Sequence, residues 1–207
     1  MGDSVNEQAS LPAEIQNARI NTAGVYVWIH GFYLFAIGIH LHHGHIPVVR
    51  LGGHREQQET GWQCAVREVH EEANLHIQPL LPHNTYLSDW DHLETELQKI
   101  KWRNKTGQEP DPLLIVSYRR AEDISLSLMY LAIAEEIPTP SSEVQGLLLL
   151  KREEIHRLCR EPQTLEEYLA GGGRAILTAE FNKSLILEPF AQLRLLSRIL
   201  DMHPEVH

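Results

Sequence analysis

The sequence predicts an α/β protein in which a mixed β-sheet lies between layers of helices. Short segments rich in β-branched and aromatic residues recur along the chain, as they do in β-strands. Segments with apolar residues at helical spacing stand before, between and after these strands. The chain has 207 residues, of which 43% are hydrophobic and 22% are charged, so it is long enough for one well-buried core.

The strongest strand pattern lies near the amino terminus. Residues 25–29 and 32–41 are rich in β-branched and aromatic side chains and are separated by a two-residue turn, which predicts a β-hairpin. Residues 46–51 predict another strand, closed by a turn at Gly52 and Gly53. Three further strands are predicted at residues 113–118, 126–134 and 144–150.

Residues 60–73 show the clearest helical pattern. Apolar residues recur there at i, i+3, i+4, i+7 and i+11, which is one face of an amphipathic helix: Trp62, Ala65, Val66, Val69 and Ala73. Further helices are predicted at residues 92–101, 151–159, 164–169 and 187–200.

Composition and charge exclude several classes of function. The formal net charge of −10 argues against non-specific affinity for nucleic acid. No apolar run reaches the roughly 18 residues that a membrane span needs. The first 19 residues lack the basic start and apolar core of a signal peptide, so we expect a cytoplasmic protein. Cys64 and Cys159 are too few for a disulfide scaffold or a cysteine zinc site.

The residues that carry chemistry are three glutamates on the helix at 60–73. Glu68, Glu71 and Glu72 stand at i, i+3 and i+4, so a helix presents them on one face, beside the apolar stripe. Like charges this close raise each other's pKa unless a cation lies between them. Hard divalent ions such as Mg²⁺ prefer such oxygen ligands. A solvated surface helix explains the charge but not the register of the residues around it.

Residues 53–75 resemble the Nudix box, G-x5-E-x7-R-E-U-x-E-E-x-G-U, where U is a bulky aliphatic residue. Its positions are filled in register by Gly53, Glu59, Arg67, Glu68, Val69, Glu71, Glu72 and Leu75. The one departure is Asn74, where the family has Gly. That position closes the helix and needs a left-handed backbone, which Asn adopts at modest cost.

The resemblance implies a metal-dependent hydrolase that cleaves the diphosphate bond of a nucleoside diphosphate linked to another group. The Gly53 carbonyl and the side chains of Glu68, Glu71 and Glu72 would bind Mg²⁺ or Mn²⁺. Arg67 would orient the carboxylates by pairing with Glu59. The expected partner is a small nucleotide-type substrate, and neither nucleic acid nor a membrane.

The resemblance also implies a Nudix-type α/β/α sandwich. We expect a hydrolase domain at residues 23–160, after an N-terminal lead-in at 1–22 and before a C-terminal helical extension at 161–207 that packs on the same domain. The sequence leaves open whether this extension shapes the substrate pocket or the contact of a homodimer.

Several assignments stay open at this stage. The proton acceptor is either a box glutamate or Glu143. Arg50 and Arg55 flank the two glycines, where they either contact a substrate phosphate or lie on the surface. The four histidines of the run His40-Leu-His42-His43-Gly-His45 either bind zinc or, as we expect, lie in a loop at the rim of the site.

Two competing functions share the fold. One is a nucleotide-sensing regulator or binding module without catalysis. Residues 151–207 contain eight Lys and Arg and nine Asp and Glu, so no basic face for DNA stands out. The other is an isomerase of the isopentenyl diphosphate type, which needs a catalytic cysteine that cannot be placed at Cys64 or Cys159.

Overall fold

The structure, a computed structural model, describes residues 9–38, 44–102, 109–121, 123–178, 180 and 182–203. Its helices are α1 (Ala13–Gln16), α2 (Gly61–Ala73), α3 (Arg152–Arg160), α4 (Leu165–Ala170) and α5 (Ala191–Met202). Its strands are β1 (Ala9–Ser10), β2 (Arg19–Ile29), β3 (Phe32–Ile37), β4 (Ile46–Val49), β5 (Leu51–His54), β6 (Gln78–Leu80), β7 (Thr85–Asp89), β8 (Gln98–Lys101), β9 (Leu114–Arg120), β10 (Asp123–Ile133), β11 (Gly146–Leu150), β12 (Arg174–Leu177) and β13 (Leu187–Pro189).

These strands form one mixed sheet. Its main path has the order β1-β8-β7-β9-β10-β2-β3-β11-β12, while β5 pairs with β2, β4 with β3, β6 with β10 and β13 with β4. The centre is the long parallel pair β10–β2, which has antiparallel neighbours in β9 and β3. The predicted mixed sheet is therefore confirmed.

Helices cover both faces of the sheet. Successive side chains of a strand point to opposite faces, so Val25 and Val27 of β2 pack with α1 and α2. Tyr26 lies between them in sequence and packs on the other face with α3, α4 and α5. We call these the α2 face and the α5 face. The predicted α/β/α sandwich is therefore confirmed. Among the described residues, no helix is long and apolar enough to cross a membrane.

The amino-terminal hairpin is present as predicted, but the predicted turn after it is not. Residues 46–51 form parts of two strands, β4 and β5, with Arg50 between them. Gly52 and Gly53 lie inside β5 and pair with β2. Gly52 has φ +134°, and a Cβ there would lie 2.3 Å from the carbonyl oxygen of Ala23. Glycine at position 52 therefore allows β5 and β2 to approach each other closely.

Two predicted helices are wrong over part of their length. Residues 92–101 contain the end of a short 3-10 helix (Trp90–His92) and strand β8, which pairs with β7 and β1. The helix predicted from residue 187 begins at Ala191, because Leu187–Pro189 forms β13 parallel to β4. In both cases at least one of the pairing strands, β1 for β8 and β4 for β13, is distant in sequence. Residues 161–207 thus contribute strands β12 and β13 as well as helices α4 and α5.

Candidate active site

Helix α2 begins with local hydrogen bonds and ends at a residue whose backbone conformation stops the helix. The Thr60 side chain accepts from the Gln63 backbone amide, and the Gln63 side chain accepts from that of Thr60, which is a complete capping box. At the other end Asn74 has φ 51° and ψ 41°, the left-handed conformation that the sequence predicts. Its Nδ2 donates to the carbonyl oxygen of Thr139 at 3.0 Å. The register of the carboxylates along α2 is therefore firmly set.

Arg67 lies at the centre of the carboxylates. Its Nε and Nη2 donate to the two carboxylate oxygens of Glu59 at 2.6 and 3.0 Å, so the predicted pair is present and bidentate. Its Nη1 donates to Glu68 Oε1 at 2.9 Å and to Glu71 Oε2 at 2.7 Å. A further bond runs from Nη2 to the His54 carbonyl oxygen at 3.1 Å. One guanidinium thus holds three carboxylates together and ties them to the end of β5.

The Glu68 carboxylate rests against the backbone of Gly53. A Cβ at position 53 would lie 2.4 Å from Glu68 Oε1 and 2.5 Å from Oε2, so a side chain there would occupy the place of the carboxylate. The Gly53 carbonyl oxygen accepts a weak hydrogen bond from the Cys64 thiol at 3.8 Å. The absence of a side chain at Gly53 is thus what lets Glu68 lie on β5.

Glu72 is buried, with 6% of its surface exposed. The expectation that all three glutamates lie beside the apolar stripe is wrong for this residue. Helix α2 packs on β2 and β5, and this turns Glu72 towards β5. There Glu72 Oε2 accepts a hydrogen bond from the Gly52 backbone amide at 2.8 Å. Glu72 is buried because of the way α2 packs on the sheet. The spacing of residues along α2 does not predict this packing.

Burial is the largest influence on the pKa values of Glu68 and Glu72, and the repulsion of neighbouring carboxylates is a smaller one. Burial raises the pKa of Glu72 to about 7. The hydrogen bond from the Gly52 amide and the charge of Arg50 act in the opposite direction but are smaller effects. Burial also raises the pKa of Glu68, while the hydrogen bond from Arg67 works against this rise. The hydrogen bond from Arg67 holds the pKa of Glu59 below its ordinary value.

The loop before β11 brings the second candidate proton acceptor to the site. The backbone amide of Thr139 donates to the Ala73 carbonyl oxygen at 2.9 Å, and that of Ser141 donates to the Glu72 carbonyl oxygen at 3.1 Å. The loop is therefore anchored to the end of α2. The exposed Glu143 follows in the same loop, and its charge contributes to the raised pKa of Glu72. Glu143 thus lies near the box glutamates.

The oxygen donors suit a hard divalent cation, although the carboxylates of Glu68 and Glu71 are paired with Arg67 in this arrangement. Within the residues that the structure describes, no three His, Cys, Asp or Glu side chains are grouped so as to hold a metal ion as they stand. The carboxylates of Glu68 and Glu71 nevertheless converge within 3 Å of one point, Arg67 Nη1. Gly53 leaves room for that convergence beside β5. Carboxylates with a backbone carbonyl nearby are the ligands that Mg²⁺ and Mn²⁺ prefer.

Other residues singled out from the sequence have different roles. Arg55 Nη1 donates to the Glu59 carbonyl oxygen at 2.8 Å and so stabilises the loop before α2. Cys64 is fully buried, and burial raises the pKa of its thiol to about 11, which does not suit a catalytic cysteine. His45 Nδ1 lies 4.0 Å from Glu188 Oε2, whereas His40, His42 and His43 fall outside the described residues.

The structure gives a position to Arg50, which the sequence leaves open. The two possibilities were a contact with a substrate phosphate and a position on the surface. In the structure Arg50 is half-buried, and its side chain crosses β2. A Cβ at Gly24 would lie 2.2 Å from Arg50 Cδ. The signal in the sequence is Gly24 itself, since a glycine inside a strand of large residues marks a close approach of another group.

Comparison with known proteins gives structural likenesses alone. No protein-family model matches the sequence, and no curated protein matches it. The chain is similar in structure to a NUDIX-family hydrolase from Clostridium perfringens, with TM-score 0.42, 19% identity and coverage of 66% of this chain and 83% of that one. It is similar to an Ap4A hydrolase from C. elegans, with TM-score 0.44, 15% identity and coverage of 88% and 98%. It is also similar to the Nudix hydrolase RenU from M. smegmatis, with TM-score 0.46, 16% identity and coverage of 92% and 91%.

Proposed function

We propose that the chain is a divalent-metal-dependent hydrolase that cleaves the diphosphate bond of a nucleoside diphosphate linked to another group. The observation that carries this proposal is the convergence of Glu68 and Glu71 on Arg67 Nη1, at 2.9 and 2.7 Å, beside the backbone of Gly53. These residues are the ones that fill the metal-binding positions of the Nudix-box pattern. Geometry and motif thus support the same assignment.

The metal would be held by Glu68, Glu71 and the Gly53 carbonyl, with Glu72 beside them. When bound, Mg²⁺ or Mn²⁺ supplies positive charge that offsets the diphosphate and lowers the pKa of an attacking water. This also accounts for an enzyme with a net charge of −10 acting on an anionic substrate.

Arg67 can stay in place when the carboxylates of Glu68 and Glu71 turn away from its Nη1 to bind a metal ion. Its bidentate bonds to Glu59 run through Nε and Nη2, and its bond to the His54 carbonyl oxygen also uses Nη2. None of these bonds depends on Nη1. Arg67 and Glu59 therefore form a fixed pair that positions α2 against the loop before it, and the two released carboxylates remain free to bind a cation.

Two groups are candidates for accepting the proton of an attacking water. Glu72 is buried and held by the Gly52 amide, and Glu143 is exposed in the loop anchored to the end of α2. Both stay candidates for this role. The fully buried Cys64 is not placed to act as a catalytic cysteine, which speaks against the isomerase reaction.

The proposal is tested by following phosphate release from nucleotide sugars, dinucleotides and nucleoside triphosphates, with Mg²⁺ or Mn²⁺ and with excess chelator. We expect turnover of at least one diphosphate compound, and its loss in chelator. Hydrolysis that persists after exhaustive chelation would overturn the metal requirement. Binding of a nucleotide without turnover of any compound would instead identify a binding module.

Metal binding is measured separately from activity by thermal melts with and without Mg²⁺. Glu71→Gln is expected to reduce the rise in Tm that Mg²⁺ causes in the wild-type protein, because one ligand is lost. The matched control is Glu94→Gln, which removes the same charge from an exposed residue outside the cluster. An equal Mg²⁺ response in both variants would remove Glu71 from the metal site.

A further inference from the structure

A polar cavity lies at the loop that leads from β5 to α2, beside the candidate metal site. Its volume is about 680 Å³, and the described residues that line it are two arginines, two glutamates and three glutamines. We call it the loop cavity. Ligand sites in proteins commonly have volumes of about 300–1,000 Å³, so this cavity can hold one group of a small molecule.

The loop that forms the cavity is fixed by its own hydrogen bonds. The Arg55 backbone amide donates to the Asn21 carbonyl oxygen at 3.0 Å, which ties the loop to β2. Arg55 Nη1 donates to the Glu59 carbonyl oxygen at 2.8 Å, and the Glu56 amide donates to Glu59 Oε2 at 3.0 Å. Binding here would cost little conformational entropy, because the loop is already ordered.

Two arginines supply unused donors to the cavity. Arg19 is exposed at the start of β2, and its guanidinium has no hydrogen-bond or ion-pair partner among the described residues. Arg55 uses Nη1 for its bond to Glu59, so Nε and Nη2 remain available within the described part of the chain. Guanidinium groups with free donors bind phosphate, often through two hydrogen bonds at once.

The loop cavity carries positive charge, although the chain as a whole has a net charge of −10. Of its two glutamates, Glu59 is neutralised by its bidentate bonds to Arg67. Only Glu56 then offsets the two arginines, which leaves a net charge of +1 in the lining. A positive cleft on a negative protein draws anions to that place. The ligand that fits the cavity is therefore an anion.

The rest of the lining suits hydroxyl groups and not a flat ring. The described residues around the cavity include no aromatic or aliphatic side chain, so none offers the surface on which a nucleobase stacks. Gln57 and Gln58 are exposed amides, each with donors and an acceptor. The Glu56 carboxylate accepts from no described group. Such groups pair with the hydroxyls of a sugar, which both donate and accept.

One guanidinium separates the loop cavity from the candidate metal ligands. Arg67 Nε and Nη2 donate to Glu59, in the wall of the cavity. Arg67 Nη1 donates to Glu68 and Glu71. A substrate whose diphosphate lies at these two carboxylates can therefore place its next group in the loop cavity.

We propose that the loop cavity binds the group linked to the nucleoside diphosphate, and that this group is a sugar carrying a phosphate. The assignment rests on the proposed function for the diphosphate bond to which the sugar is joined. Arg19 and Arg55 would hold the phosphate of the sugar, while Glu56 and the glutamines would bind its hydroxyls. A neutral sugar leaves the arginines unused, and phosphate alone leaves Glu56 next to an anion.

The test measures binding by calorimetry at low ionic strength in excess chelator, so that neither metal nor hydrolysis contributes. The probes are ribose 5-phosphate, ribose and inorganic phosphate. Ribose 5-phosphate should bind more tightly than either of the others. Arg19→Gln is expected to weaken both anionic probes about tenfold, because a charged hydrogen bond is lost, and to leave ribose unchanged. Its Tm should equal that of wild type, since Arg19 is exposed.

Glu56→Ala distinguishes a sugar phosphate from a simple anion. The variant should weaken ribose 5-phosphate by about threefold or more, because an acceptor for its hydroxyls is lost. It should strengthen inorganic phosphate, because the repulsion between two anions is removed. A cavity that only collects anions would bind both probes more tightly in this variant.

The matched control is Arg157→Gln, which removes the same charge from an exposed arginine of α3, on the α5 face of the sheet. It should bind all three probes as wild type does. In an assay with a substrate that turns over, ribose 5-phosphate should inhibit competitively, and about tenfold more weakly in Arg19→Gln. Inhibition that is not competitive would place the sugar outside the substrate site and overturn the assignment.

Three binding results would also overturn it. Ribose 5-phosphate could fail to bind at millimolar concentration, Arg19→Gln and Arg157→Gln could bind alike, or Glu56→Ala could strengthen both anions. Each of these results would leave metal-dependent hydrolysis standing. Conversely, binding that depends on Arg19 and Glu56 in a protein that hydrolyses nothing would support the sugar phosphate and overturn the proposed hydrolase.

Discussion

Glu72, on helix α2, accepts a hydrogen bond from the backbone amide of Gly52, on strand β5, at 2.8 Å. The bond joins the helix to the strand across the base of the candidate site. It also satisfies one oxygen of a carboxylate that is otherwise shielded from water, with 6% of the residue exposed. Because burial raises the pKa of this carboxyl to about 7, its ionisation is linked to the stability of the fold.

The first prediction concerns the pH dependence of stability in excess chelator. The folded protein keeps the Glu72 proton up to about pH 7, whereas the unfolded chain releases it near the ordinary value of 4.5. The folded state therefore binds more protons in this interval, and the free energy of unfolding falls as pH rises through it. The loss should be roughly 3 kcal/mol by pH 8. The Glu72→Gln variant has no carboxyl group to titrate, so this pH dependence should be absent. Its side-chain oxygen can still accept the hydrogen bond from the Gly52 amide.

The measurement is urea unfolding of wild type and Glu72→Gln between pH 4.5 and 8. Wild type should lose stability relative to the variant as pH rises. If the free energy of unfolding depends on pH in the same way for both proteins, Glu72 has the same pKa in the folded and unfolded states, and burial does not raise it.

The second prediction separates the two glycines of β5. Gly53→Ala places a methyl group against the flexible carboxylate of Glu68, so we expect little loss of stability in chelator but loss of the Mg²⁺-induced rise in Tm. Gly52→Ala meets the backbone of Ala23 and needs φ +134°, so it should destabilise the fold by about 2 kcal/mol or more. Thermal melts in chelator and in Mg²⁺ distinguish them. A normal Mg²⁺ response in Gly53→Ala would show that the Glu68 position is not needed.

The third prediction is a change of sign for Glu68→Gln. In chelator the variant keeps an oxygen that accepts from Arg67 and loses only the charge of this bond, and it no longer holds a half-buried charge, so its Tm should be no lower than that of wild type. In excess Mg²⁺ its Tm should be lower, because a metal that binds the folded state stabilises it by mass action. Catalysis should fall by orders of magnitude. If Glu68→Gln melts like wild type in both conditions and keeps full activity, Glu68 is surface charge only.

The fourth prediction tests the end of α2. Asn74 adopts φ 51°, which glycine tolerates freely, so Asn74→Gly should change stability by less than about 1 kcal/mol and keep the metal requirement. Asn74→Ala should cost about 1–2 kcal/mol, since a Cβ without a compensating amide disfavours this backbone. Urea unfolding of the two variants gives the comparison. A large rise in turnover in the glycine variant would show that Asn74 impairs the site.

Much of helix α2 follows from local sequence. Thr60 and Gln63 begin the helix through bonds to each other, and Asn74 ends it in the left-handed conformation that the sequence predicts. The pair between Arg67 and Glu59 spans eight residues and is present as the resemblance to the Nudix box implies. Such features involve only one helix and the loop before it, so they depend on local sequence and not on distant partners.

Tertiary structure decided the features that depend on distant partners. Strands β8 and β13 are short, and they form because β7, β1 and β4 offer unpaired backbone groups. The burial of Glu72 depends on how α2 crosses β5, and the path of Arg50 depends on the gap above Gly24. The sequence by itself determined which residues of α2 share a register and how the helix begins and ends. Only the packing of the sheet decided which carboxylate is buried and which arginine reaches the opposite face, because strand pairing is set by contacts between residues far apart in the chain.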